Sequence, residues 1–369
     1  MIKSALNVVT VEPRDEMAGE TAAPLVELVD VARHFDVSPP WLNRVLEGKG
    51  RAVLKAVDGV SLAIASGETL GLVGESGCGK STVARLIVGL YRPTRGEIRY
   101  AGRRIDVDGA RHAARREMQM IFQDPYASLN PRWRVADIVA EPLRAAPADG
   151  RPARAAIGER VGSLLEQVGL VAADGAKFPH QFSGGQRQRI SIARALAGSP
   201  RFLVCDEPTS ALDVSVQAQV LNLMRRLQRE LGLTLLFISH NLAVVHHIAN
   251  RVGVMYLGRM VETAPTKALF AEPQHPYTRM LLEAVPDLAL TGKPRTAVAG
   301  EVPNPLDPPA GCAFHPRCPY ANERCRREVP VLKPVRRAAG ILGEAACHAV
   351  QEKRLGSTVV TQMTMRDPG

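Results

Sequence analysis

Residues 74–81 read Gly74-Glu75-Ser76-Gly77-Cys78-Gly79-Lys80-Ser81 and fit the pattern G-x-x-x-x-G-K-[ST]. The apolar run 69–73 comes directly before this stretch, and the residues from Lys80 onward read as a helix. Glycines in such a loop let backbone N–H groups surround phosphate oxygens. A strand, a glycine-rich loop and a helix in this order therefore predict a cradle for a nucleoside triphosphate.

The chemistry of this cradle gives its side chains separate roles. The ammonium group of Lys80 is expected to bridge the β- and γ-phosphates, and the hydroxyl of Ser81 is expected to ligate Mg²⁺. Thr82, the next residue of the helix, is expected to support the α-phosphate. The predicted ATP-binding residues of the loop are Gly74, Glu75, Ser76, Gly77, Cys78, Gly79, Lys80, Ser81 and Thr82.

A second loop, Phe182-Ser183-Gly184-Gly185-Gln186, opens a polar helix about a hundred residues after the first loop. The N-terminus of a helix offers free backbone N–H groups and a positive dipole end to an anion. Because the two loops that are expected to bind phosphate lie so far apart in sequence, the pattern predicts that two copies of the chain share nucleotides across an interface.

Polar side chains follow three further apolar runs. Asp206 and Glu207 follow directly after the apolar run 203–205. The first carboxylate is expected to bind Mg²⁺, and the second is expected to activate the attacking water. Gln123 and His240 end two other runs. Each residue also has a structural explanation: the two carboxylates could cap a strand, Gln123 could be a surface residue, and His240 could be a packed side chain. Sites in parallel sheets form at the carboxyl ends of strands, and this position favours the functional interpretation.

Strands and helices alternate through the second half of the chain. Apolar runs at 202–205, 234–238 and 252–257 are separated by helical patterns at 214–231 and 242–249. This alternation predicts an α/β fold with a parallel sheet that is covered on both faces.

The composition excludes some classes of protein. The chain has 369 residues, 46 % of them apolar and 23 % charged, which is an ordinary globular balance. No apolar run reaches the length of a membrane span, and the first 24 residues lack a secretory pattern, so a cytosolic protein is expected. A net charge of +10 admits nucleic acid or an anionic membrane surface as a partner. The charge lies in solvated runs and aromatic residues make up only 4 %, so no direct nucleic-acid contact is expected.

The motifs, in this order, resemble the nucleotide-binding subunit of an ATP-binding cassette (ABC) transporter over about residues 25–265. The resemblance implies an ABC-type P-loop NTPase with a RecA-like core, an antiparallel β subdomain and a helical subdomain at about 125–198. The family signature usually begins with leucine, and Phe182 is a conservative departure from it. The matching motifs are Walker A at 74–81, the Q-loop at Gln123, the signature at 182–186, Walker B at 203–207, the D-loop at 210–213 with Asp213, and the H-loop at His240.

The resemblance also implies roles for individual residues. His240 would stabilise the γ-phosphate, Glu207 would activate the attacking water, and Gln123 would reach the metal. An aromatic residue before the second strand usually stacks on adenine; Phe35 is the candidate here, and core packing is the alternative. The residues that would contact the nucleotide of the opposite subunit are Ser183, Gly184, Gly185 and Gln186.

Several stretches resemble more closely the ATPases of oligopeptide and dipeptide importers, a group that includes nickel and glutathione importers. They are residues 73–82, 122–131, 206–217, 275–278 and 311–319. The resemblance implies a peripheral subunit on the cytoplasmic face of the membrane that energises import of di- or oligopeptides, with another solute of the group as the alternative. The implied partners are a second, different ATPase, two transmembrane permease subunits and an extracytoplasmic solute-binding protein. A soluble ABC ATPase acting on nucleic acid is less favoured, because a second cassette and a long coiled-coil insertion are missing.

The sequence divides into four expected parts. Residues 1–24 form a lead-in that is expected to be disordered, and residues 25–270 form the ATPase domain. A C-terminal module at 271–355 and a flexible tail at 356–369 follow, and the proline-rich stretch 300–309 is expected to mark a module boundary.

Four cysteines lie in the C-terminal module: Cys312, Cys318, Cys325 and Cys347. The gaps between them are five, six and twenty-one residues, which match neither common zinc-finger spacing nor the short ferredoxin run. A reducing compartment argues against disulfides. The spacing leaves open a packed module with free thiols and a metal site. The resemblance to the importer ATPases implies that these cysteines hold a structural [4Fe–4S] cluster.

Overall fold

The computed structural model describes residues 23–40, 43–44, 50–105, 110–146, 152–284, 300–337 and 340–355. The predicted tail at 356–369 lies outside these residues, and so does all of the predicted lead-in except residues 23 and 24. None of the helices in these ranges is long and apolar enough to span a membrane.

The strands of the described residues form two sheets, with the orders β2-β1-β4-β5 and β11-β12-β10-β9-β3-β8-β7-β6. Their bounds are β1 Val26–Asp36, β2 Val53–Ile64, β3 Thr69–Val73, β4 Arg95–Tyr100, β5 Arg103–Arg104, β6 Met118–Ile121, β7 Phe202–Asp206, β8 Thr234–Ile238, β9 Arg251–Tyr256, β10 Arg259–Pro265, β11 Lys333–Arg336 and β12 Leu342–Ala345.

Helices cover the larger sheet and form a separate cluster beside it. Their bounds are α1 Lys80–Ile87, α2 Ala110–Glu117, α3 Pro125–Ser128, α4 Val135–Arg144, α5 Arg154–Gln167, α6 Gly184–Leu196, α7 Val214–Leu231, α8 Leu242–Ile248, α9 Thr266–Ala271, α10 Pro276–Glu283, α11 Glu323–Arg327 and α12 His348–Gln351. Short 3₁₀ turns lie at Ala172–Ala176, Pro179–Gln181 and His315–Arg317.

The larger sheet confirms the predicted α/β class. Strands β6, β7, β8, β3 and β9 pair in parallel, and every residue of β3, β7 and β8 is buried. Burial on both faces explains why these strands read as continuous apolar runs instead of alternating patterns. Because their carboxyl ends lie at one edge of the sheet, the loops after β3, β6, β7 and β8 open toward the same place.

The smaller sheet is antiparallel and packs against the P-loop side of the core. Strand β1 pairs with β2 and β4, and its register shifts between Leu28 and His34. Val26, Leu72 and Val83 share one apolar cluster, which joins this sheet to β3 and α1. Strand β1 thus runs past the core and carries Phe35 toward the end of α1.

The helical subdomain is built from α4, α5 and α6. Ile138, Leu164 and Ile190 belong to one buried apolar cluster that continues into the larger sheet. The sequence predicted a helical subdomain at about 125–198, and α4, α5 and α6 lie within that range.

The larger sheet continues past the predicted domain boundary at residue 270. Strand β10 pairs with β12, which pairs with β11, so late residues extend the sheet of the ATPase domain. The fully buried carboxylate of Glu262 accepts the N–H groups of Gln274 at 2.9 Å and His275 at 2.8 Å, and it pairs with Arg337. A buried carboxylate needs such partners to offset its lost hydration, and here they fasten the later chain to β10.

Candidate nucleotide-binding site

The carboxyl edge of the larger sheet opens into a cavity of about 940 Å³. This volume is in the range of small-molecule sites. Most of the predicted nucleotide-binding and catalytic residues line this cavity: Phe35, Ser76, Gly77, Gly79, Lys80, Ser81, Thr82, Gln123, Glu207 and His240. Three residues of the glycine-rich loop, Gly74, Glu75 and Cys78, do not line the cavity.

The glycine-rich loop is held so closely that two of its residues have no room for a side chain. Gly79, at the N-cap of α1, has φ of 108°, and a Cβ atom there would lie 2.3 Å from the carbonyl oxygen of Ala56. A Cβ atom on Gly74 would lie 2.3 Å from the carbonyl oxygen of Met255. The glycines at both ends therefore let the loop backbone lie close to its neighbours, and the loop ends at a helix N-terminus, which is the geometry of an anion cradle.

Lys80 is turned toward this loop and is only 5 % exposed. Its Nζ donates hydrogen bonds to the carbonyl oxygens of Gly74 at 2.7 Å and Glu75 at 2.9 Å. These bonds satisfy a buried ammonium group that would otherwise be costly. The charge is thus held at the floor of the cradle, where a phosphate group would sit.

Ser81 and Asp206 bring a hydroxyl and a carboxylate together. Ser81 Oγ donates to Asp206 Oδ1 at 2.9 Å. Burial raises the pKa of the Asp206 carboxyl, and the Ser81 hydrogen bond opposes this change. Oxygen donors of this kind suit Mg²⁺, so the pair fits the predicted metal site. Gln123, the third predicted ligand, lines the same cavity, and its Nε2 donates to Glu207 Oε2 at 3.1 Å.

Glu207 lies between two other predicted residues, Gln123 and His240. Its Oε1 is 3.2 Å from His240 Nδ1, and its side chain is 15 % exposed. The backbone of Glu207 has φ of 48°, a left-handed conformation that is strained for a residue with a side chain. The N–H of Glu207, bonded to the carbonyl oxygen of Ile238 at 3.0 Å, helps to hold this conformation. The carboxylate is therefore fixed at the wall of the cavity.

Phe35 lies on the opposite side of the cavity with two neighbours that sequence reasoning missed. Its ring meets Tyr91 edge to face at 5.4 Å, and the guanidinium of Arg33 lies 4.5 Å from the ring centre. Phe35 is half-buried, so it is not a core residue. The sequence gives no signal for this group, because the residues meet only where β1 passes the end of α1.

The signature residues lie outside this cavity. Ser183 Oγ accepts the N–H of Gln186 at 3.4 Å, and Gln186 Oε1 accepts the N–H of Ser183 at 3.0 Å, which is a capping box at the start of α6. A Cβ atom on Gly185 would lie 2.3 Å from Val216 Cγ1, so Gly185 allows α6 to approach α7 closely. Ser183, Gln186 and Asp213 are exposed, and Gly184 is half-buried. Within one chain, the two predicted phosphate loops are not brought together.

The C-terminal module contributes a wall of the cavity that sequence reasoning also missed. Residues 305, 308–311 and 313 line it, and Arg317 contacts Glu75 from behind the loop. The sequence signal for this wall is the stretch 311–319, which resembles the importer ATPases.

The four C-terminal cysteines lie near one another as free thiols. Burial, with smaller contributions from the neighbouring cysteines, raises the pKa of Cys312 to about 12 and that of Cys318 to about 11. In the described part of the chain, however, no group of three or more His, Cys, Asp or Glu side chains is arranged to hold a metal ion. The geometry gives no support to the expected iron–sulfur cluster.

Comparisons with known protein families match two regions of the chain. Residues 57–210 match the ABC transporter family, and residues 261–325 match the family described as oligopeptide/dipeptide transporter, C-terminal region. The first region contains both phosphate loops and the strand ending at Asp206. The second contains Tyr277, Arg317 and three of the four cysteines.

Individual relatives are similar over most of the chain. A di/tripeptide transport ATP-binding protein, DppF, of Pseudomonas aeruginosa (strain UCBPP-PA14) is 49 % identical over 328 residues, which cover 88 % of this chain and 97 % of the relative. A putative peptide import ATP-binding protein of Brucella abortus (strain 2308) is 50 % identical over 348 residues, covering 93 % and 99 %.

A solved structure supports the same fold. A dimeric, post-hydrolysis structure of the ATP-binding cassette MJ0796 with ADP and Pi matches with a TM-score of 0.57 and 27 % identity, covering 65 % of this chain and 98 % of that one. The chain belongs to the ATP-binding subunits of ABC transporters, in the branch that carries the oligopeptide/dipeptide transporter C-terminal region.

Proposed function

We propose that this chain is the ATP-hydrolysing subunit that energises import of di- and oligopeptides through a membrane transporter. The observation that carries the proposal is the meeting of Lys80, the Ser81–Asp206 pair and Glu207 around one cavity at the carboxyl edge of a parallel sheet. The similar relatives are named as peptide transport or peptide import ATP-binding proteins, which supports the choice of peptides as the solute.

The cavity offers a place for each part of MgATP. The loop N–H groups and Lys80 would bind the β- and γ-phosphates, Thr82 would support the α-phosphate, and Phe35 would stack on adenine. When bound, Mg²⁺ would neutralise phosphate charge, and the residues proposed to hold it are Ser81, Asp206 and Gln123. The remaining loop contacts would come from Ser76, Gly77 and Gly79, which line the cavity. Gly74, Glu75 and Cys78 were also predicted to bind ATP, but they do not line it.

Hydrolysis then requires an activated water beside Glu207. The carboxylate would accept a proton from the water as the water oxygen forms a bond to the γ-phosphorus. The bond from that phosphorus to the β–γ bridging oxygen breaks, ADP leaves with the electron pair, and inorganic phosphate forms. His240 would donate a hydrogen bond to the γ-phosphate, and Gln123 would leave its present contact with Glu207 to sense the nucleotide.

The second nucleotide contact would come from another subunit. Because the signature residues Ser183, Gly184, Gly185 and Gln186 lie outside the cavity of their own chain, we place them on the nucleotide of a second ATPase, with Asp213 near the same interface. The proposed assembly contains a different partner ATPase, two permease subunits and an extracytoplasmic solute-binding protein. The chain would lie on the cytoplasmic face of the membrane.

A groove beside Gln123 supports the permease contact. It has a volume of about 520 Å³ and is lined in part by Tyr126, Trp133, Ile138 and Arg194. Tyr126 is 55 % exposed and Trp133 is 42 % exposed, which is unusual for large aromatic side chains. A permease segment that inserts there would press on the loop that carries Gln123, and so on the ATP site.

The domain bounds and the state of the C-terminal cysteines are also part of the proposal. The ATPase domain covers 25–270, with its helical subdomain at about 125–198, and the C-terminal module covers 271–355. The four C-terminal cysteines would hold a structural [4Fe–4S] cluster, as the resemblance to the importer ATPases implies. Iron and sulfide assays on anaerobically purified protein test this; zinc in a fully folded, iron-free protein would contradict it.

The function is tested by nucleotide binding and peptide uptake. Lys80→Ala should lose most of its affinity for ATP, while Lys267→Ala, which removes an exposed lysine outside the cavity, should not. In cells of the source organism, Glu207→Gln should abolish uptake of labelled di- or oligopeptides and leave nickel and glutathione uptake intact. Co-purification from detergent-solubilised membranes should recover permeases. Unchanged peptide uptake, or loss of only nickel or glutathione uptake, would contradict the proposed solute.

A further inference from the structure

Every polar group of Glu75 is held by another residue, although Glu75 occupies a position in the glycine-rich loop where many residue types are allowed. Its N–H donates to Tyr277 Oη at 2.8 Å, and its carbonyl oxygen accepts Lys80 Nζ at 2.9 Å. Its carboxylate receives two hydrogen bonds from Arg317, at 2.8 and 3.0 Å. Glu75 therefore links the lysine of the cradle to residues from a distant part of the chain.

Two of these three partners come from the C-terminal module. Tyr277 lies in α10, and Arg317 ends the 3₁₀ turn at His315–Arg317. The Arg317 side chain is 2 % exposed and that of Glu75 is 22 % exposed. The two-pronged contact is the strongest geometry for an arginine and a carboxylate, and burial protects it from screening by salt.

An aromatic cluster fixes the position of Arg317. The rings of Tyr256, Tyr277 and Phe314 pack against one another with centres 4.7 to 5.5 Å apart. The guanidinium lies 5.8 Å from the centres of the Tyr256 and Phe314 rings, and it donates to Tyr256 Oη at 3.4 Å. Arg317 is thus held on a rigid support from strand β9 and the module.

The charge of Glu75 makes this contact important for the ATP site. A carboxylate on the loop stands close to the position of the β- and γ-phosphates, and like charges repel strongly where water is largely excluded. With Arg317 in place, the pair has no net charge. Without Arg317, the loop would present a negative group beside the phosphates that it must bind.

We propose that Arg317 is a positioning residue of the ATP site: it neutralises Glu75 and holds its carboxylate so that the glycine-rich loop accepts phosphate. The proposal rests on the nucleotide site described under the proposed function. It gives the C-terminal module a direct part in ATP binding, because the module supplies Arg317, Tyr277 and one wall of the cavity. Arg317 itself does not line the cavity, so it acts through Glu75.

The test compares ATP binding by four variants of the full-length chain, with calorimetric titration as the measurement. Arg317→Met keeps the length of the side chain and removes its charge, so the Kd for ATP should rise roughly tenfold. In the assembled ATPase pair at saturating ATP, kcat should change by less than about twofold, because ground-state and transition-state binding are weakened together. Arg324→Met is the matched control: Arg324 lies in the same module, is 42 % exposed and pairs with Glu328 and Glu352.

A double variant separates charge from shape. In Glu75→Gln/Arg317→Met the repelling carboxylate is gone, so ATP affinity should return to within about threefold of the unmodified chain. A double variant as weak as Arg317→Met would overturn the proposal, and so would an Arg317→Met variant that binds ATP as tightly as the Arg324→Met control.

Glu75→Gln alone keeps the test decisive if Arg317→Met does not fold. This variant leaves the Arg317 cation without an opposing carboxylate, so its affinity for ATP should be equal or higher; a tenfold loss would overturn the proposal. Lys80→Ala, measured in parallel, distinguishes an error in the nucleotide site from an error in the role of Arg317. If Lys80→Ala also binds ATP normally, the nucleotide site itself is wrong. If only Lys80→Ala loses binding, the site stands and the role of Arg317 is wrong.

Discussion

Glu207 is the residue whose replacement should separate ATP binding from ATP hydrolysis. In Glu207→Gln the amide keeps the size of the side chain but cannot accept a proton from water. Loss of a general base lowers the rate by about a hundredfold or more, whereas the phosphate contacts of Lys80 and the loop remain. We expect a normal Kd for ATP with phosphate release reduced by that factor, measured by titration and by a phosphate assay.

Glu230→Gln is the matched control for this variant, because Glu230 is an exposed residue of α7 that pairs with Arg226 far from the cavity. It should hydrolyse ATP at the normal rate. Unchanged turnover in Glu207→Gln would remove Glu207 from the role of general base and leave the strained backbone at this position without a catalytic explanation.

His275 should make folding sensitive to acid. The residue is 1 % exposed, its Nδ1 accepts the N–H of Tyr277 at 3.0 Å, and burial lowers the pKa of the imidazole from 6.5 to about 3. As the pH falls below 6.5, the unfolded chain takes up a proton that the folded chain does not. Stability is therefore lost between pH 6.5 and about 3, by at most about 1.4 kcal/mol per pH unit for this one group.

Thermal unfolding at a series of pH values below 7 measures this effect. His275→Asn keeps an acceptor at the start of α10 but cannot titrate, so its melting temperature should fall less steeply with acid. Burial also lowers the pKa of His246 and His247. These two residues therefore leave some dependence of the melting temperature on pH in both the unmodified chain and the His275→Asn variant. Equal slopes in the variant and the unmodified chain would contradict the role given to His275.

At the scale of elements, the N-terminus of helix α6 has both a structural role and a proposed role in contact with a second subunit. Ser183 caps the helix, and the same hydroxyl is exposed at the proposed contact with a second subunit. Ser183→Ala should lower the free energy of unfolding by about 1 kcal/mol, as is usual for the loss of an N-cap. It should also leave ATP binding by the single chain intact and reduce hydrolysis by the assembled ATPase pair.

Ser163→Ala, on an exposed position of α5, is the control for both measurements. Chemical denaturation gives the stability of each variant, and phosphate release gives the turnover of the pair. If Ser183→Ala were less stable but turned over normally, the serine would be only a helix cap.

The elements around the first phosphate loop could be predicted because each has a strong local cause. Strand β3 is a buried apolar run, the loop needs glycine where neighbouring backbones approach, and α7 has the bounds that its periodicity predicts. Strand order could not be read in the same way, because it depends on pairs far apart in sequence, such as Leu72 with Ile238.

The C-terminal elements gave much weaker signals. Strand β11 is four residues long and has no fully buried residue, so it shows neither an apolar run nor clean alternation. Arg317 could not be assigned from sequence either, since its partner Glu75 lies 242 positions away. Both features arise only when the late chain folds back onto β10 and the glycine-rich loop.

On the scale of the whole molecule, the two halves of the proposed catalytic site face different directions. Lys80, Ser81 and Glu207 line the cavity, whereas the signature residues lie outside it, with Ser183 and Gln186 exposed. A nucleotide bound in the cavity would leave its γ-phosphate open toward solvent unless a second subunit covered it. The arrangement therefore favours a chain that binds ATP alone and hydrolyses it only in a pair.

Association driven by MgATP is the prediction that follows for the whole molecule. The chain, mixed with the proposed partner ATPase, should form a stable pair in MgATP when Glu207→Gln blocks hydrolysis. The pair should separate in ADP, as measured by light scattering coupled to size-exclusion chromatography. Phosphate contacts from both sides would supply the binding energy of this pair, so Lys80→Ala should prevent it. Turnover per chain should fall on dilution, since only the pair is active. Full turnover by a strictly monomeric preparation in which Ser183 and Gly185 had been replaced would contradict the composite site.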